Sequence, residues 1–118
     1  LLAPIENAWY ATETVPVKAR AMMVDWLRVY TARLRDEGVP ESTRRTRMNQ
    51  VNPKFVLRNY LAQEAIDQAE AGDYERIQQL LQVLQRPYDE QPEHAQFAKK
   101  RPEWARNRPG CSMLSCSS

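Results

Sequence analysis

The residues best suited to chemistry are the two cysteines, Cys111 and Cys116, which both lie in the last eight residues of this 118-residue chain. Small and polar neighbours surround them, so neither resembles a cysteine packed into a core as a small apolar residue. An accessible thiol reacts as its thiolate, at a rate governed by its pKa and its partner's geometry. The pattern therefore predicts a solvent-accessible, redox-active tail.

The sequence has too few histidines and too few clustered glycines for metal binding, a catalytic relay or a phosphate-binding loop. His94 is the only histidine, and with the two cysteines it gives three soft ligands, one short of a closed zinc site. A single histidine also leaves no Ser/His/Asp or Cys/His relay within the chain. The three glycines are isolated, so no glycine-rich phosphate loop exists. We expect no catalytic residue, no cofactor-binding residue and no metal ligand in this chain.

Composition indicates a globular protein. The chain is 42% hydrophobic and 27% charged, and its net charge of +2 is too small to indicate a polyanionic partner. No apolar run approaches the ~18 residues of a membrane span, and two cysteines favour a reducing compartment, so we expect a soluble cytoplasmic protein. The start, Leu1-Leu2-Ala3-Pro4, has neither an initiator Met nor a signal peptide, which predicts that the sequence begins inside a longer polypeptide.

Apolar periodicity predicts a long amphipathic helix over residues 16–37, ended by Gly38 and Pro40. Its apolar positions recur at helical spacing: Met23, Leu27, Tyr30 and Leu34. A short basic helix is predicted over residues 41–50, with Ser42 or Thr43 as its cap and with exposed arginines, namely Arg44, Arg45 and Arg47.

An antiparallel helical hairpin is predicted next. Asn52 followed by Pro53 suggests a helix start, and an apolar face continues to about Ala71. Gly72 closes that helix, and Asp73 caps a second one, which Pro87 ends. The apolar face of the second helix is predicted from the spacing of Ile77, Leu80, Leu81 and Leu84.

The remaining residues, 87–118, are predicted to form an irregular tail apart from a turn of helix near residues 95–100. We expect an all-α fold with a helical region over 1–86, where the core ends, followed by this tail. Phe97 and Trp104 are apolar rings in a coil segment, so they need a surface to cover and are predicted to hold the tail against one.

A basic face offers a second functional interpretation. The span from Lys18 to Arg47 holds eight basic against four acidic residues. A stand-alone helical module could bind a protein or nucleic acid through the part of this face between Arg28 and Arg47. Aromatic side chains for base stacking are missing beside the arginines, so we do not expect nucleic acid.

Four motifs resemble, in order and spacing, the end of the selenoprotein O (SelO) family. The longest, residues 48–66, has the sequence MNQVNPKFVLRNYLAQEAI. The others are Arg86-Pro87-Tyr88-Asp89, Pro102-Glu103-Trp104 and the closing Ser115-Cys116-Ser117-Ser118. On this resemblance the chain is identified as the C-terminal region of a SelO-type protein.

The resemblance implies a kinase-like enzyme, a protein adenylyltransferase that transfers AMP from ATP to protein hydroxyl groups with a divalent metal, Mg²⁺ or Mn²⁺. The nucleotide and metal residues of the family lie in an upstream kinase-like domain, so none is carried over to this sequence. That domain and the protein substrates are the implied partners, a bacterial-type cytoplasmic member is the implied source, and neither a membrane nor nucleic acid is implied.

The resemblance also assigns Cys116 to the position that is selenocysteine in some family members and cysteine in others. In the family this residue can pair with a cysteine of the activation loop, which implies a redox regulator. Cys111 has no clear counterpart. It could form a local disulfide with Cys116 or act as a resolving thiol, and the residues do not decide between these alternatives.

Overall fold

A computed structural model describes residues 2–9, 11 and 14–111, which form helices and turns without any β-strand. The predicted all-α class is confirmed. Two compact units, residues 1–45 and 46–118, divide within the helix Glu41–Val51. Across the described part of the chain, no helix combines the length and apolar character that a membrane span requires.

Unit 1 begins with a short 3₁₀ helix, Ala3–Ala8, and contains helix α1, Val17–Asp36. The prediction of a helix over 16–37 is confirmed. Gly38, with a φ of +64°, takes the left-handed conformation that ends α1, as the sequence predicts. Leu27, at 9% exposure, is the one buried residue of α1, so this helix leaves most of its apolar side chains accessible.

Helix α2, Glu41–Val51, matches the predicted basic helix. The backbone N–H of Arg44 donates to the carbonyl of Pro40 at 3.0 Å, so the helix starts directly after Pro40. Ser42 and Thr43 therefore lie inside the helix, and the prediction that one of them is the cap is wrong.

Arg44 also differs from its predicted exposed position. Its side chain is half-buried, and one Nη atom donates to the carbonyls of Leu34 and Val39, each at 3.0 Å. The guanidinium group binds one carbonyl in the last turn of α1, where helical N–H partners run out, and one in the connection to α2. Arg44 thus closes the end of α1.

Unit 2 contains the predicted hairpin as helices α3, Asn59–Glu70, and α4, Glu75–Leu84. Gly72 has a φ of +90°, and the carboxylate of Asp73 accepts a hydrogen bond from the backbone N–H of Glu75 at 2.9 Å. The glycine therefore ends α3 as predicted. The Asp73 carboxylate binds the first N–H of α4, but the N-cap residue is Tyr74, one position after the predicted one.

The first helix of the hairpin begins six residues later than predicted, at Asn59 instead of Pro53. The backbone N–H groups of Lys54 and Phe55 both donate to the carbonyl of Pro87, at 2.8 and 3.1 Å, and the Phe55 ring is buried. Tertiary hydrogen bonds hold this segment outside the helix and override the local start signal that Pro53 provides.

The buried face of α4 is also rotated from the predicted one. Leu80 is buried and Leu84 packs against the core, but Ile77 and Leu81 are exposed and Val83 is completely buried. Apolar residues lie on two sides of α4, so the sequence does not show which side the rest of the fold buries.

The core of unit 2 extends far beyond residue 86, so the predicted end of the core is wrong. Phe97, Ala105 and Cys111 join residues of both helices in one cluster, together with Phe55. Two 3₁₀ helices, Pro92–Ala98 and Glu103–Ala105, carry the chain across the hairpin. The first of them overlaps the predicted turn of helix near residues 95–100. Because the hairpin is short, it buries its apolar face only when this segment covers it.

Gln91 fixes the path of the chain after α4. Its side chain is buried, and its Nε2 donates to the carbonyls of Val83 at 3.0 Å and Arg86 at 2.9 Å. The Val83 carbonyl lies in the last turn of α4 and the Arg86 carbonyl just beyond it, and each also accepts a backbone N–H, from Arg86 at 3.3 Å and from Asp89 at 3.2 Å. One amide therefore caps α4 and directs the following segment back over the hairpin.

We predict that Phe97→Ala destabilises the hairpin, although Phe97 lies outside it, because its buried ring would leave a cavity. Replacing a buried Phe by Ala costs about 3–5 kcal/mol. Hydrogen exchange with mass spectrometry on the full polypeptide should show the opening free energy of α3 and α4 amides falling by about this amount. Tyr88→Ala, which removes an exposed ring nearby, is the control. Unchanged exchange in both variants would contradict the assignment of Phe97 to the core.

Candidate functional site

Cys111 lies in the core of unit 2. Its side chain is only 5% exposed, its thiol is free, and it belongs to the cluster that contains Phe55, Leu61 and Phe97. The prediction of a solvent-accessible thiol is therefore wrong for Cys111, because the chain before it is held against the hairpin. Cys116 lies outside the described residues.

A tight turn delivers Cys111 to the core. The backbone N–H of Cys111 donates to the carbonyl of Arg108 at 3.1 Å, and Gly110 has a φ of +82°. A Cβ atom at residue 110 would lie 2.9 Å from the side-chain oxygen of Gln63. The positive φ favours glycine at this position, whereas the Gln63 side chain could move aside for a Cβ atom.

Asp67 and Arg108 form the strongest polar contact of this region. The two Nη atoms of Arg108 donate to the two carboxylate oxygens of Asp67 at 2.7 and 2.8 Å. Gln63 donates a further hydrogen bond to Asp67 at 2.9 Å. Bidentate pairs of this kind fix orientation as well as charge. We call this pair the Asp67–Arg108 clasp, because it ties α3 to the segment that precedes Cys111.

The clasp shifts both titrations in the direction that favours the ion pair. Hydrogen bonds from Arg108 and Gln63 lower the pKa of Asp67, and the hydrogen bond to Asp67 raises the pKa of Arg108. Both side chains are about two-fifths exposed, so solvent screens the pair. The clasp is consequently a positioning contact more than a source of stability.

Aromatic contacts hold the same segment against α3. The Arg108 guanidinium lies 5.6 Å from the centre of the Trp104 ring, and Trp104 meets the Tyr60 ring edge-on at 6.4 Å. Burial raises the pKa of the Tyr60 hydroxyl, which donates to the carbonyl of Lys99 at 3.2 Å. The prediction that Phe97 and Trp104 hold the tail against a surface is confirmed, and the surface is the hairpin.

A cavity of about 250 Å³ opens beside these rings. Its described lining combines aromatic side chains, Tyr60, Phe97 and Trp104, with cationic groups and one carboxylate, namely Arg76, Lys99, Lys100 and Glu64. The Arg76 guanidinium stacks on Phe97 at 5.2 Å. Such a lining suits contact with an anionic or aromatic group, and the described part of it holds no histidine or thiol.

His94 packs against the Phe97 ring, with 5.9 Å between ring centres. Within the residues that the structure describes, no three His, Cys, Asp or Glu side chains are placed to hold a metal ion.

The predicted basic face is partly neutralised within its own helices. Arg28 pairs with Asp25 at 3.1 Å, Arg33 with Glu37 at 3.3 Å and Arg45 with Glu41 at 3.1 Å. Because Arg44 is also engaged with backbone carbonyls, the geometry adds no support to the interaction-module interpretation.

Comparison with known proteins identifies the family. Residues 5–85 match the model of the family described as protein adenylyltransferase SelO. The chain belongs to this family, as the sequence motifs indicate.

Individual relatives extend the similarity over nearly the whole chain. A protein nucleotidyltransferase YdiU of Aromatoleum aromaticum is 57% identical over 115 residues, covering 98% of this chain and 22% of the relative. One of Rhodopirellula baltica is 54% identical over 121 residues, covering 100% and 22%. One of Azoarcus sp. is 62% identical over 93 residues, covering 79% and 18%. The chain thus spans about a fifth of the length of these relatives.

Three of the four family motifs meet in unit 2. The Pro87 carbonyl of the second motif accepts hydrogen bonds from Lys54 and Phe55 of the first, and Trp104 of the third contacts Tyr60 of the first. Lys54 and Glu90 add an ion pair between the same regions. The motifs are therefore parts of one packed unit.

Sequence reasoning missed Asp67, Gln63 and Gln91. Asp67 is 41 residues from Arg108, and in the sequence it is one of several polar residues on a helix. Gln91 lies in a polar loop and carries no local sign of burial. The one available hint was Gly110, since an isolated glycine between a proline and a cysteine is typical of a tight turn.

The lowered pKa of Asp67 predicts a pH dependence for the clasp. Since its folded-state pKa is below the unfolded value of about 3.9, the stabilisation is complete above that value and is lost as pH falls through the folded pKa. Hydrogen exchange of peptides from residues 103–111, corrected for intrinsic rates between about pH 6 and about pH 2, should show constant protection followed by this loss. Peptides from α4 report on general acid unfolding.

Arg108→Gln should remove this acid transition from the 103–111 peptides and hold their protection, above the transition, at the level that the wild type reaches only at low pH. If the variant retained the transition at the same pH, the pH dependence would have to arise from a group other than Asp67.

Proposed function

We propose that this chain is the C-terminal helical region of a cytoplasmic protein adenylyltransferase of the SelO type, which transfers AMP from ATP to Ser, Thr or Tyr hydroxyl groups. The observation that carries this proposal is the 57% identity to a protein nucleotidyltransferase over 98% of the chain. In such a transfer the substrate oxygen bonds to the α-phosphorus, the bond to the β-phosphate breaks, pyrophosphate leaves and the hydroxyl proton is released.

ATP and Mg²⁺ or Mn²⁺ would bind in a kinase-like domain of the same polypeptide, outside these 118 residues. That division fits the cavity beside Trp104, whose described lining offers a single carboxylate, whereas a divalent cation that carries phosphates is usually held through carboxylates together with the phosphate oxygens. The role proposed for this chain is to support the kinase-like domain and to carry its regulatory tail.

An apolar stripe on α1 supports this role. Met22, Trp26 and Val29 follow one another at helical spacing and are 65%, 56% and 72% exposed. Trp26 stacks on Tyr30 with 5.2 Å between ring centres, which makes the stripe broad and rigid. Because the chain spans only 22% of its relatives, we propose that the kinase-like domain of the same polypeptide covers this stripe.

The full-length polypeptide should therefore transfer label from [α-³²P]ATP to a protein substrate, itself included, and should not transfer label from [γ-³²P]ATP. Transfer from the γ-labelled nucleotide alone would identify a protein kinase and overturn the proposal.

In the same assay, Trp26→Glu should lower AMP transfer by about tenfold, the effect of about 1.4 kcal/mol in domain docking. Ala21→Glu places the same carboxylate on α1, about 100° around the helix from Met22, and should leave transfer unchanged. Equal activity of the two variants would show that the stripe does not dock the catalytic domain.

We further propose that Cys116 regulates the enzyme by forming a disulfide with a cysteine elsewhere in the polypeptide. The burial of Cys111 supports Cys116 as the reactive thiol, because thiol–disulfide exchange requires access.

Cys116→Ser should make AMP transfer insensitive to reductant, whereas the oxidised wild-type enzyme should gain activity on reduction. Non-reducing peptide mapping of the oxidised wild type should recover Cys116 linked to a residue outside this chain. Recovery of a Cys111–Cys116 bond alone would contradict the proposal.

A further inference from the structure

The buried position of Cys111 depends on a contact that is distant in sequence. Cys111 is buried, and the turn that buries it starts at Arg108, whose carbonyl accepts the Cys111 N–H at 3.1 Å. The Arg108 side chain is in turn held by Asp67 at 2.7 and 2.8 Å. The clasp therefore holds Arg108 in place, and the turn that starts at Arg108 positions the buried Cys111 thiol.

We propose that the Asp67–Arg108 clasp determines which of the two thiols takes part in exchange. With the clasp formed, Cys111 is excluded from reagents and Cys116 is the reactive thiol. With the clasp broken, the turn from Arg108 loses its anchor, and Cys111 leaves the core and competes for Cys116.

The clasp also sets how far Cys116 can reach. Five Cα-to-Cα steps separate it from Cys111 and span at most about 18 Å. If Cys111 leaves the core, the nearest buried residue before it is Ala105, so that eleven steps then separate Cys116 from a buried residue. Effective concentration falls roughly as the −3/2 power of linker length, so a partner thiol near the core would meet Cys116 about threefold less often.

Opening the clasp also permits a competing bond. With oxidised glutathione as the oxidant, the two thiols would lose two protons and two electrons to form a Cys111–Cys116 disulfide, and the glutathione disulfide would be reduced to two thiols. This local bond would consume Cys116. The reach and competition arguments rest on the proposed redox function of Cys116, whereas the protection of Cys111 does not.

The test is alkylation of the native full-length polypeptide by N-ethylmaleimide, with peptide mapping that follows each cysteine separately. In the wild type, Cys116 should react at least about tenfold faster than Cys111, since a buried thiol reacts only through opening of the structure. Arg108→Gln should raise the Cys111 rate about threefold to fivefold, since an ion pair this exposed to solvent contributes only modestly to holding the turn. Arg108→Lys, which keeps the positive charge but cannot make the two parallel hydrogen bonds to Asp67, should give an intermediate rate.

Arg106→Gln is the matched control, because it removes an exposed arginine that pairs with Glu103 at 3.4 Å, and it should leave the Cys111 rate unchanged. Asp67→Asn removes the carboxylate that α3 contributes to the clasp and should reproduce the effect of Arg108→Gln. Exchange protection of α4 peptides distinguishes release of the turn from general unfolding. Loss of that protection in both clasp variants would count against the proposal, since it predicts an intact hairpin.

Equal alkylation of both cysteines in the wild type, or a protected Cys111 in Arg108→Gln with an intact hairpin, would overturn the proposal. In a second measurement, oxidised glutathione should link Cys111 to Cys116 in Arg108→Gln and not in the wild type. If Cys116 of the oxidised wild type forms no disulfide at all, the redox function proposed above fails, while the alkylation rates still decide the role of the clasp.

Discussion

The packing of unit 2 depends on one constraint: α3 and α4, of 12 and 10 residues, are too short to bury their own apolar faces. Helices of this length gain most of their stability from tertiary contacts. The missing contacts come from segments on both sides of the hairpin, which supply Phe55 before it and Phe97, Ala105 and Cys111 after it. The core therefore closes only when the chain after α4 folds back.

Two polar groups direct that return. The Pro87 carbonyl accepts the N–H groups of Lys54 and Phe55, and the Gln91 amide caps the carbonyls at the end of α4. Because these bonds join the segments before and after the hairpin, three of the family motifs lie together in space. Their residues meet packing and hydrogen-bonding requirements, which gives these motifs a structural role in unit 2.

The helices were largely predictable from the sequence, and the tertiary contacts were not. Periodicity and the glycine stops located α1, α2 and the turn at Gly72, since these are local signals. Prediction failed at Pro53, where the backbone N–H groups of Lys54 and Phe55 donate to the Pro87 carbonyl and prevent a helix from starting. It failed again at Ile77 and Val83, because the spacing of α4 allows two apolar faces and only the returning chain selects one. The resemblance to known motifs located the family, but it did not indicate the Asp67–Arg108 clasp.

The burial of Cys111 likewise depends on a contact distant in sequence and not on its sequence neighbours. Its neighbours are small and polar, which is typical of an exposed tail, yet a carboxylate 41 residues before Arg108 fixes the turn that buries it. Local composition cannot encode a contact of that separation. A thiol's neighbours in sequence are therefore a poor guide to its reactivity where a bidentate ion pair and a glycine with a positive φ determine the path of the backbone.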